Sequence, residues 1–285
     1  MDIYGVIGYP IKHSLSPLMH NAAFKKMGIE AEYKLFEVMP EELEDFLLNK
    51  KEVVGFNITI PHKVKAKEIF EKRHIETSEE SQHYVSLCGA INTVKREDEK
   101  IEYTNTDVVG FLTSLRKDLK FDPTNKNMIV FGCGGAGRSI IAGLGTLPSK
   151  VIYIYDNNIN AIAIAKDFFS RSSSLKDRLK FITKDEISKA IKDSQLLVNA
   201  TPLGMKEGGA TLVDKGLLHE ELSIYDVVYN RKTELLKDAE SKGLSAAGGI
   251  GMFLYQGAHA FEFWTGEKAP IQVMKKALEE AIKSK

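Results

Sequence analysis

The sequence predicts an α/β protein of two lobes, with a parallel sheet in the second lobe and two C-terminal helices that return to the first. Three observations predict it. Strand-like and helix-like segments alternate over most of the chain, the pattern of parallel sheets covered by helices. The length of 285 residues suits two domains. After Gly248-Gly249 the alternation gives way to helix alone.

In the first lobe, Ile3 to Gly8 reads as a short apolar strand that ends at Tyr9-Pro10. Ser16-Pro17 has the form of an N-cap followed by proline at the first helical position. The helix it opens carries Met19, Ala22, Ala23 and Met27 and should stop at Gly28. Tyr33 to Val38 alternates like a strand and Glu41 to Leu48 reads as helix. Val53 to Ile60 is a second apolar strand, after which Pro61 opens another helix. Ala90 to Val94 and Ile101 to Tyr103 suit a hairpin around Glu97-Asp98-Glu99-Lys100. Val108 to Leu119 is an amphipathic connector with Phe111, Leu112 and Leu115 on one side, and Phe121 to Asn125 is a polar break.

The second lobe begins with the buried-type strand Met128 to Phe131. Further strands are expected at Val151–Tyr155, Leu179–Ile182, Leu196–Asn199 and Ile224–Val228. Met252 to Trp264 and Pro270 to Ile282 are the closing helices. The expected division is 1–107, completed by 248–285, and 108–247.

Composition excludes several classes. Lys plus Arg and Asp plus Glu are both 39, so no net charge draws the chain to nucleic acid or to an anionic membrane. Cys88 and Cys133 are the only cysteines, and their spacing suits neither a disulfide framework nor a metal site. The seven histidines are scattered, so no protein-bound metal is expected. No basic region followed by an apolar stretch opens the chain and no apolar run could span a bilayer. A cytoplasmic enzyme with a small-molecule substrate is expected, as a monomer or a homodimer.

Chemistry enters at Gly132-Cys133-Gly134-Gly135-Ala136-Gly137. This GxGxxG follows a strand and precedes a helix, expected from Arg138, as a Rossmann-type dinucleotide site requires. Gly132 permits the tight turn, Gly134 clears the approach of a pyrophosphate, and Gly137 allows close packing of helix on strand. The N-terminus of the helix that follows Gly135 and Ala136 supplies free N–H groups and a dipole that favour an anion. Asp156 ends the next strand, 19 residues after Gly137, where a carboxylate can accept hydrogen bonds from the adenosine ribose. It would repel a 2′-phosphate, and Asn157 and Asn158 offer no arginine to hold one, so NAD is favoured over NADP. The alternative for Asp156 is that it merely caps the next helix, a common role for aspartate, and Arg138 could still assist a phosphate.

Four polar segments recur where strands meet turns or helices: Ser14-Leu15-Ser16-Pro17, Asn57 to Lys63, Gly89 to Thr93, and Asn105-Thr106-Asp107. Taken singly, Ser16 and Asp107 suit helix caps, Pro61 a helix start and Lys63 a solvated lysine. Their order and spacing, with Asn199 to Met205, Tyr225 to Asn230, Gly248 to Gln256 and Phe261 to Gly266, resemble the shikimate dehydrogenase family along nearly the whole chain.

The resemblance implies reversible reduction of 3-dehydroshikimate to shikimate with a nicotinamide cofactor, in the chorismate route to aromatic amino acids. It implies that Ser14 and Ser16 hold the substrate carboxylate. Asn57, Thr59, Asn92, Tyr229 and Gln256 would contact hydroxyls or the carboxylate. Lys63 and Asp107 would be the catalytic pair, and Thr201, Val227, Gly249 and Met252 would lie near the nicotinamide. A lysine ammonium suits this chemistry, because it can give a proton to the oxygen as hydride reaches the carbonyl carbon.

The chain departs from the family pattern at three places. Asp156-Asn157-Asn158 stands where Asn-Arg-Thr is common, Asn230-Arg231 where Asn-Pro is frequent, and Gly137 where alanine or serine is usual. An NAD-using quinate/shikimate dehydrogenase is the alternative within the family. A non-catalytic dinucleotide sensor is the alternative outside it, and the presence of both Lys63 and Asp107 argues against it.

Overall fold

The computed structural model describes every residue except 99, 207, 209, 210, 284 and 285. The chain divides into two compact units, 1–110 with 254–285, and 111–253.

The first unit is built on a five-stranded sheet in the order β2-β1-β3-β4-β5. Its strands are β1 (Asp2–Gly8), β2 (Ala31–Glu37), β3 (Val53–Ile58), β4 (Thr93–Glu97) and β5 (Lys100–Thr104). β1 runs parallel to β2 and β3, while β3–β4 and β4–β5 are antiparallel. The expected hairpin is therefore present, with Glu99 of its turn outside the described residues.

The helices of this unit are α1 (Ser16–Met27), α2 (Leu43–Asn49), α3 (Lys63–Lys72), α4 (Glu79–Cys88), the start of α5 (Thr106–Lys117), the end of α10 (Ile250–Thr265), and α11 (Ile271–Lys283). Side-chain alternation along β1 serves two cores. Ile7 joins Leu47, Val53, Phe56, Phe70 and Val94 on one face. On the other, the Tyr4 ring meets Phe24 of α1 at 5.0 Å and Trp264 of α10 at 5.3 Å. Trp264 Nε1 donates to Val94 O at 2.9 Å, so the C-terminal helices complete this unit's core, as the sequence predicts.

Of the helix starts that differ from expectation, three bear on the site. Leu15, not Ser16, is the N-cap of α1, and Ser16 is its first residue. Gly28 does end α1, in the left-handed conformation at φ 68°. α3 begins at Lys63 and not Pro61, because residues 59–62 form a turn in which His62 N donates to Thr59 O at 3.0 Å. α6 (Gly135–Thr146) begins inside the glycine loop, three residues before Arg138, since Gly134 already serves as N-cap.

The second unit carries a six-stranded sheet, β11-β10-β9-β6-β7-β8, with every pair parallel. Its strands are β6 (Met128–Phe131), β7 (Ile152–Tyr155), β8 (Leu179–Phe181), β9 (Leu196–Asn199), β10 (Ser223–Asp226) and β11 (Ala246–Gly248). Chain order runs outward from β6 to β8, then reverses from β9 to β11, the doubly wound order with its switch point between β6 and β9. Helices α7 (Ile159–Ser170), α8 (Ile187–Lys192) and α9 (Glu234–Ser241) connect the strands. Among the described residues no helix is long and apolar enough to cross a membrane.

Candidate active site

Lys63 is the first residue of α3 and Asp107 the second of α5, so both leave the carboxyl-terminal ends of strands in the first unit. Lys63 Nζ donates to Asp107 Oδ2 at 2.6 Å. The lysine is 9% exposed and the aspartate 4%. A buried pair costs desolvation unless its other valences are met. Here Asn92 Nδ2 donates to the second carboxylate oxygen of Asp107 at 2.9 Å.

The orientation of Asn92 is determined by three donors on its own carbonyl oxygen. Thr106 N, Thr93 Oγ1 and Thr106 Oγ1 reach Asn92 Oδ1 at 2.7, 3.0 and 3.2 Å. Its amide nitrogen is therefore left to face Asp107. Asp107 is not the cap of α5; Asn105 is, accepting from Val108 N at 3.3 Å through Oδ1. The carboxylate is free of that backbone duty and serves Lys63.

Asn57, at the end of β3, continues the network. Its Nδ2 donates to Thr93 Oγ1 at 3.1 Å and to Asn92 O at 3.3 Å. Its Oδ1 accepts from the phenol of Tyr33 at 2.7 Å. Ser14 Oγ donates to Ser16 Oγ at 3.1 Å and accepts from Ser16 N at 3.3 Å. Thr59 lies just past β3, its backbone N donating to Ile7 O at 2.9 Å. Gln256 is buried on α10 and packs where a side chain at Gly110 of α5 would sit.

Of the expected substrate contacts, Ser14, Ser16, Asn57, Thr59, Lys63, Asn92, Asp107 and Gln256 belong to the first unit. Tyr229 belongs to the second, where its ring stacks on Phe253 at 4.3 Å and burial raises its hydroxyl pKa. Tyr33, Thr93 and Thr106 were not singled out from the sequence. Thr93 and Thr106 sit inside quoted polar segments, whereas Tyr33 reads only as the first residue of an alternating strand.

In the second unit the carboxyl edge of the sheet collects the glycine loop and its neighbours. Gly132 has φ 97°, which only glycine adopts readily. A Cβ there would also meet Ala200 O at 2.9 Å and Thr201 Cγ2 at 3.0 Å, which places Thr201, past β9, against the loop. A Cβ at Gly137 would run into the Gly132 carbonyl, so the close packing expected of that glycine is present. At Gly134 a Cβ would meet nothing within 4 Å, and this open space lies at the N-terminus of α6. Gly135 and Ala136 form the first turn of that helix. These features fit a dinucleotide pyrophosphate, which needs close backbone approach and helix N–H groups.

Asp156 follows β7. Its Oδ2 accepts from Cys133 N at 2.8 Å and its Oδ1 from Asn158 N at 2.9 Å. It therefore braces the glycine loop and does not cap α7; Asn158 does, accepting from Asn160 N and Ala161 N. Asn157 beside it is exposed. Cys133 is buried, and burial with the nearby Asp156 carboxylate pushes its thiol up to about 12. Arg138 is turned inward, 4.4 Å over the Phe168 ring and 3% exposed.

Asp226, at the end of β10, was quoted only within a family segment, yet it organises this edge. It accepts from Asn199 Nδ2 at 2.9 Å, Val228 N at 3.0 Å and Thr233 Oγ1 at 2.6 Å. Burial holds its carboxyl above the usual range, with these donors opposing. Asn199 Oδ1 in turn accepts from Thr201 N at 3.0 Å and Thr201 Oγ1 at 2.6 Å. Val227 and Gly249 lie past β10 and β11, and a Cβ at Gly249 would strike the Val227 carbonyl. Met252 is buried one turn into α10. Among the described residues no group of three or more His, Cys, Asp or Glu could hold a metal ion.

Residues 6–94 match the shikimate dehydrogenase substrate binding domain, and residues 249–279 match the shikimate 5′-dehydrogenase C-terminal domain. The shikimate dehydrogenase (NADP(+)) of Methanopyrus kandleri is 39% identical over 287 residues, covering 99% of this chain and 96% of its own. The structure of shikimate 5-dehydrogenase from Listeria monocytogenes, in complex with shikimate and NAD, is similar with a TM-score of 0.82 and 33% identity. That similarity covers 98% of this chain and 96% of the other. Quinate dehydrogenase from Corynebacterium glutamicum, in complex with NAD, gives a TM-score of 0.85 at 25% identity, over 98% and 99% of the two chains. With 39% identity over 99% of its length to a curated relative, the chain belongs to the shikimate dehydrogenase family.

Proposed function

We propose that this enzyme reduces 3-dehydroshikimate reversibly to shikimate, with the first unit holding the substrate and the second the nicotinamide dinucleotide. The observation that carries the reading is the buried Lys63–Asp107 pair, locked by Asn92 and continuous with Asn57. Such a set of fixed donors and acceptors suits a small, densely hydroxylated ligand.

The bound dinucleotide supplies the hydride. Lys63 gives a proton to the substrate oxygen during reduction and takes it back during oxidation. Asp107 orients Lys63 through the 2.6 Å contact and can accept from a neighbouring substrate hydroxyl. Asn57, Thr59, Asn92, Tyr229 and Gln256 contact hydroxyls or the carboxylate. Ser14 and Ser16 donate to the substrate carboxylate. In the second unit Gly132, Gly134, Gly135, Ala136 and Gly137 receive the pyrophosphate, and Thr201, Val227, Gly249 and Met252 border the nicotinamide.

NAD is the preferred cofactor in this reading. The support is Asp156, a carboxylate held in place at the end of β7, beside Asn157 and with Arg138 turned away. Two buried cysteines, Cys88 and Cys133, neither in a disulfide, suit a reducing cytoplasm.

A steady-state assay of the purified protein tests the proposal by crossing shikimate and quinate with NAD and NADP and following nicotinamide absorbance. Oxidation of shikimate, faster with NAD, is expected. Turnover of quinate alone would replace the substrate, and a higher kcat/KM with NADP would overturn the reading of Asp156.

A further inference from the structure

Asp226 and Asn199 end neighbouring parallel strands and are partners in the last register pair of β10 and β9. They lie at the edge of the second unit's sheet that carries the proposed dinucleotide site, yet they are 0% and 1% exposed. A buried polar side chain is costly unless its hydrogen-bonding groups are met. Here they are met by the loops that border that site.

Asn199 uses both hydrogens and both lone pairs of its amide. Nδ2 donates to Asp226 Oδ1 at 2.9 Å and to Leu203 O at 3.1 Å. Oδ1 accepts from Thr201 N at 3.0 Å and from Thr201 Oγ1 at 2.6 Å. Thr201 Oγ1 accepts in turn from Leu203 N at 3.2 Å. One side chain thus grips both ends of the turn 201–203. Asp226 does the same for its own loop and for α9. Its Oδ1 also accepts from Val228 N at 3.0 Å, and Val227 N donates to Asn199 O at 2.9 Å. Its Oδ2 accepts at 2.6 Å from Oγ1 of Thr233, the N-cap of α9. Thr233 closes the circle, since a Cβ on Gly204 would come within 2.7 Å of Thr233 Cγ2. Each of these contacts on the carboxylate is a donor, as an ionised group requires.

We propose that Asp226 and Asn199 are positioning residues for the dinucleotide, setting Thr201 and Val227 at the nicotinamide without touching it themselves. Thr201 also backs the glycine loop, because a Cβ at Gly132 would meet its Cγ2 at 3.0 Å. A shift of the turn 201–203 therefore reaches both the nicotinamide border and the pyrophosphate turn. The inference rests on the dinucleotide site proposed above.

Calorimetric titration of NAD, NADP and shikimate into wild type, Asp226→Ala, Asp226→Asn and Asn199→Ala tests it. In both alanine variants the Kd for the better-bound dinucleotide should rise about tenfold or more, the cost of buried donors left unmet and a turn released. The Kd for shikimate should stay within about threefold, since most of its proposed contacts lie in the first unit. Asp226→Asn keeps an oxygen for Asn199 Nδ2 and Val228 N, so it should recover most of the affinity that Asp226→Ala loses. Asn199→Ala reads the same network if Asp226→Ala does not fold. A folded alanine variant that binds the dinucleotide within about twofold of wild type would overturn the proposal. So would an equal loss for shikimate, the mark of a network that serves only the fold, or an Asp226→Asn variant no better than Asp226→Ala. A wild type that binds neither dinucleotide would show itself before any variant is compared; the reading of the site then falls and takes this inference with it.

Discussion

Lys63 and Asp107 are 44 residues apart in the chain, and their side chains meet at 2.6 Å in a buried site. Each oxygen of the carboxylate has its own donor, Lys63 on one side and Asn92 on the other. Asp107→Asn keeps the shape and removes the charge that holds Lys63. A fall in kcat of about a hundredfold or more is expected, within the range for a disturbed general acid or base. Steady-state kinetics with shikimate checks it, and a variant with wild-type kcat would show that the ion pair is only structural.

In the proposed reading cofactor choice turns on Asp156, and the same carboxylate also braces the glycine loop through Cys133 N. The double change Asp156→Ser with Asn157→Arg is therefore expected to do two things. It should shift the ratio of kcat/KM toward NADP by about tenfold or more, since repulsion is replaced by attraction. It should also raise KM for NAD. Measuring both dinucleotides at saturating shikimate separates the effects; an unchanged ratio would remove Asp156 from cofactor selection.

His20 gives a pH dependence whose sign follows from its lowered pKa of about 3, caused by burial, against an ordinary value of 6.5. The unfolded chain binds a proton at this position as pH falls below 6.5, while the folded chain does not until near 3. Stability from this group is thus complete above pH 6.5 and is lost as pH falls through that window. The slope is about 1.4 kcal/mol per pH unit. Urea denaturation of wild type and His20→Phe between pH 6.5 and pH 4 should show that much difference in slope. Identical slopes would contradict a neutral buried His20.

Arg96 illustrates a buried charge with a structural task. It points inward from β4 and donates to Val53 O at 2.8 Å, Phe46 O at 2.9 Å and Leu47 O at 2.8 Å. Its guanidinium lies 4.6 Å over the Phe56 ring, and burial lowers its pKa to about 10. Arg96→Met leaves those carbonyls without their donor, and a loss of about 2–4 kcal/mol is expected. Denaturant midpoints check the stability, and the KM for shikimate should not move. An equally stable methionine variant would show that the guanidinium contributes nothing net.

What was legible in the sequence was mostly local. The strand–glycine–helix sequence around Gly132 to Gly137 carries its own geometry, because each glycine answers a steric need within a few residues. The main strands were legible for the same reason. Helix α4, Glu79–Cys88, escaped because Glu79-Glu80-Ser81-Gln82-His83-Tyr84 shows no apolar stripe. Strand β11 escaped because Ala246-Ala247-Gly248 is too short and too small to alternate.

The site was legible in its residue types and silent in its pairings. Nothing local distinguishes Lys63 from a solvated lysine; the resemblance to a family supplied its partner. Ser16 and Asp107 carry strong capping propensity, yet Leu15 and Asn105 take those positions. Two of the three donors on Asn92 Oδ1 come from Thr106, 14 residues on at the start of α5, and Tyr33 meets Asn57 across 24 residues from another strand, so no spacing along the chain announces them.

Lys63→Ala offers the most direct measurement, with shikimate binding followed by calorimetry and turnover followed by nicotinamide absorbance in the same preparation. Binding should stay within about tenfold of wild type while kcat falls by about two to four orders of magnitude, the signature of a lost proton donor. A variant that turns over at close to the wild-type rate would contradict the assignment of proton transfer to the Lys63–Asp107 pair.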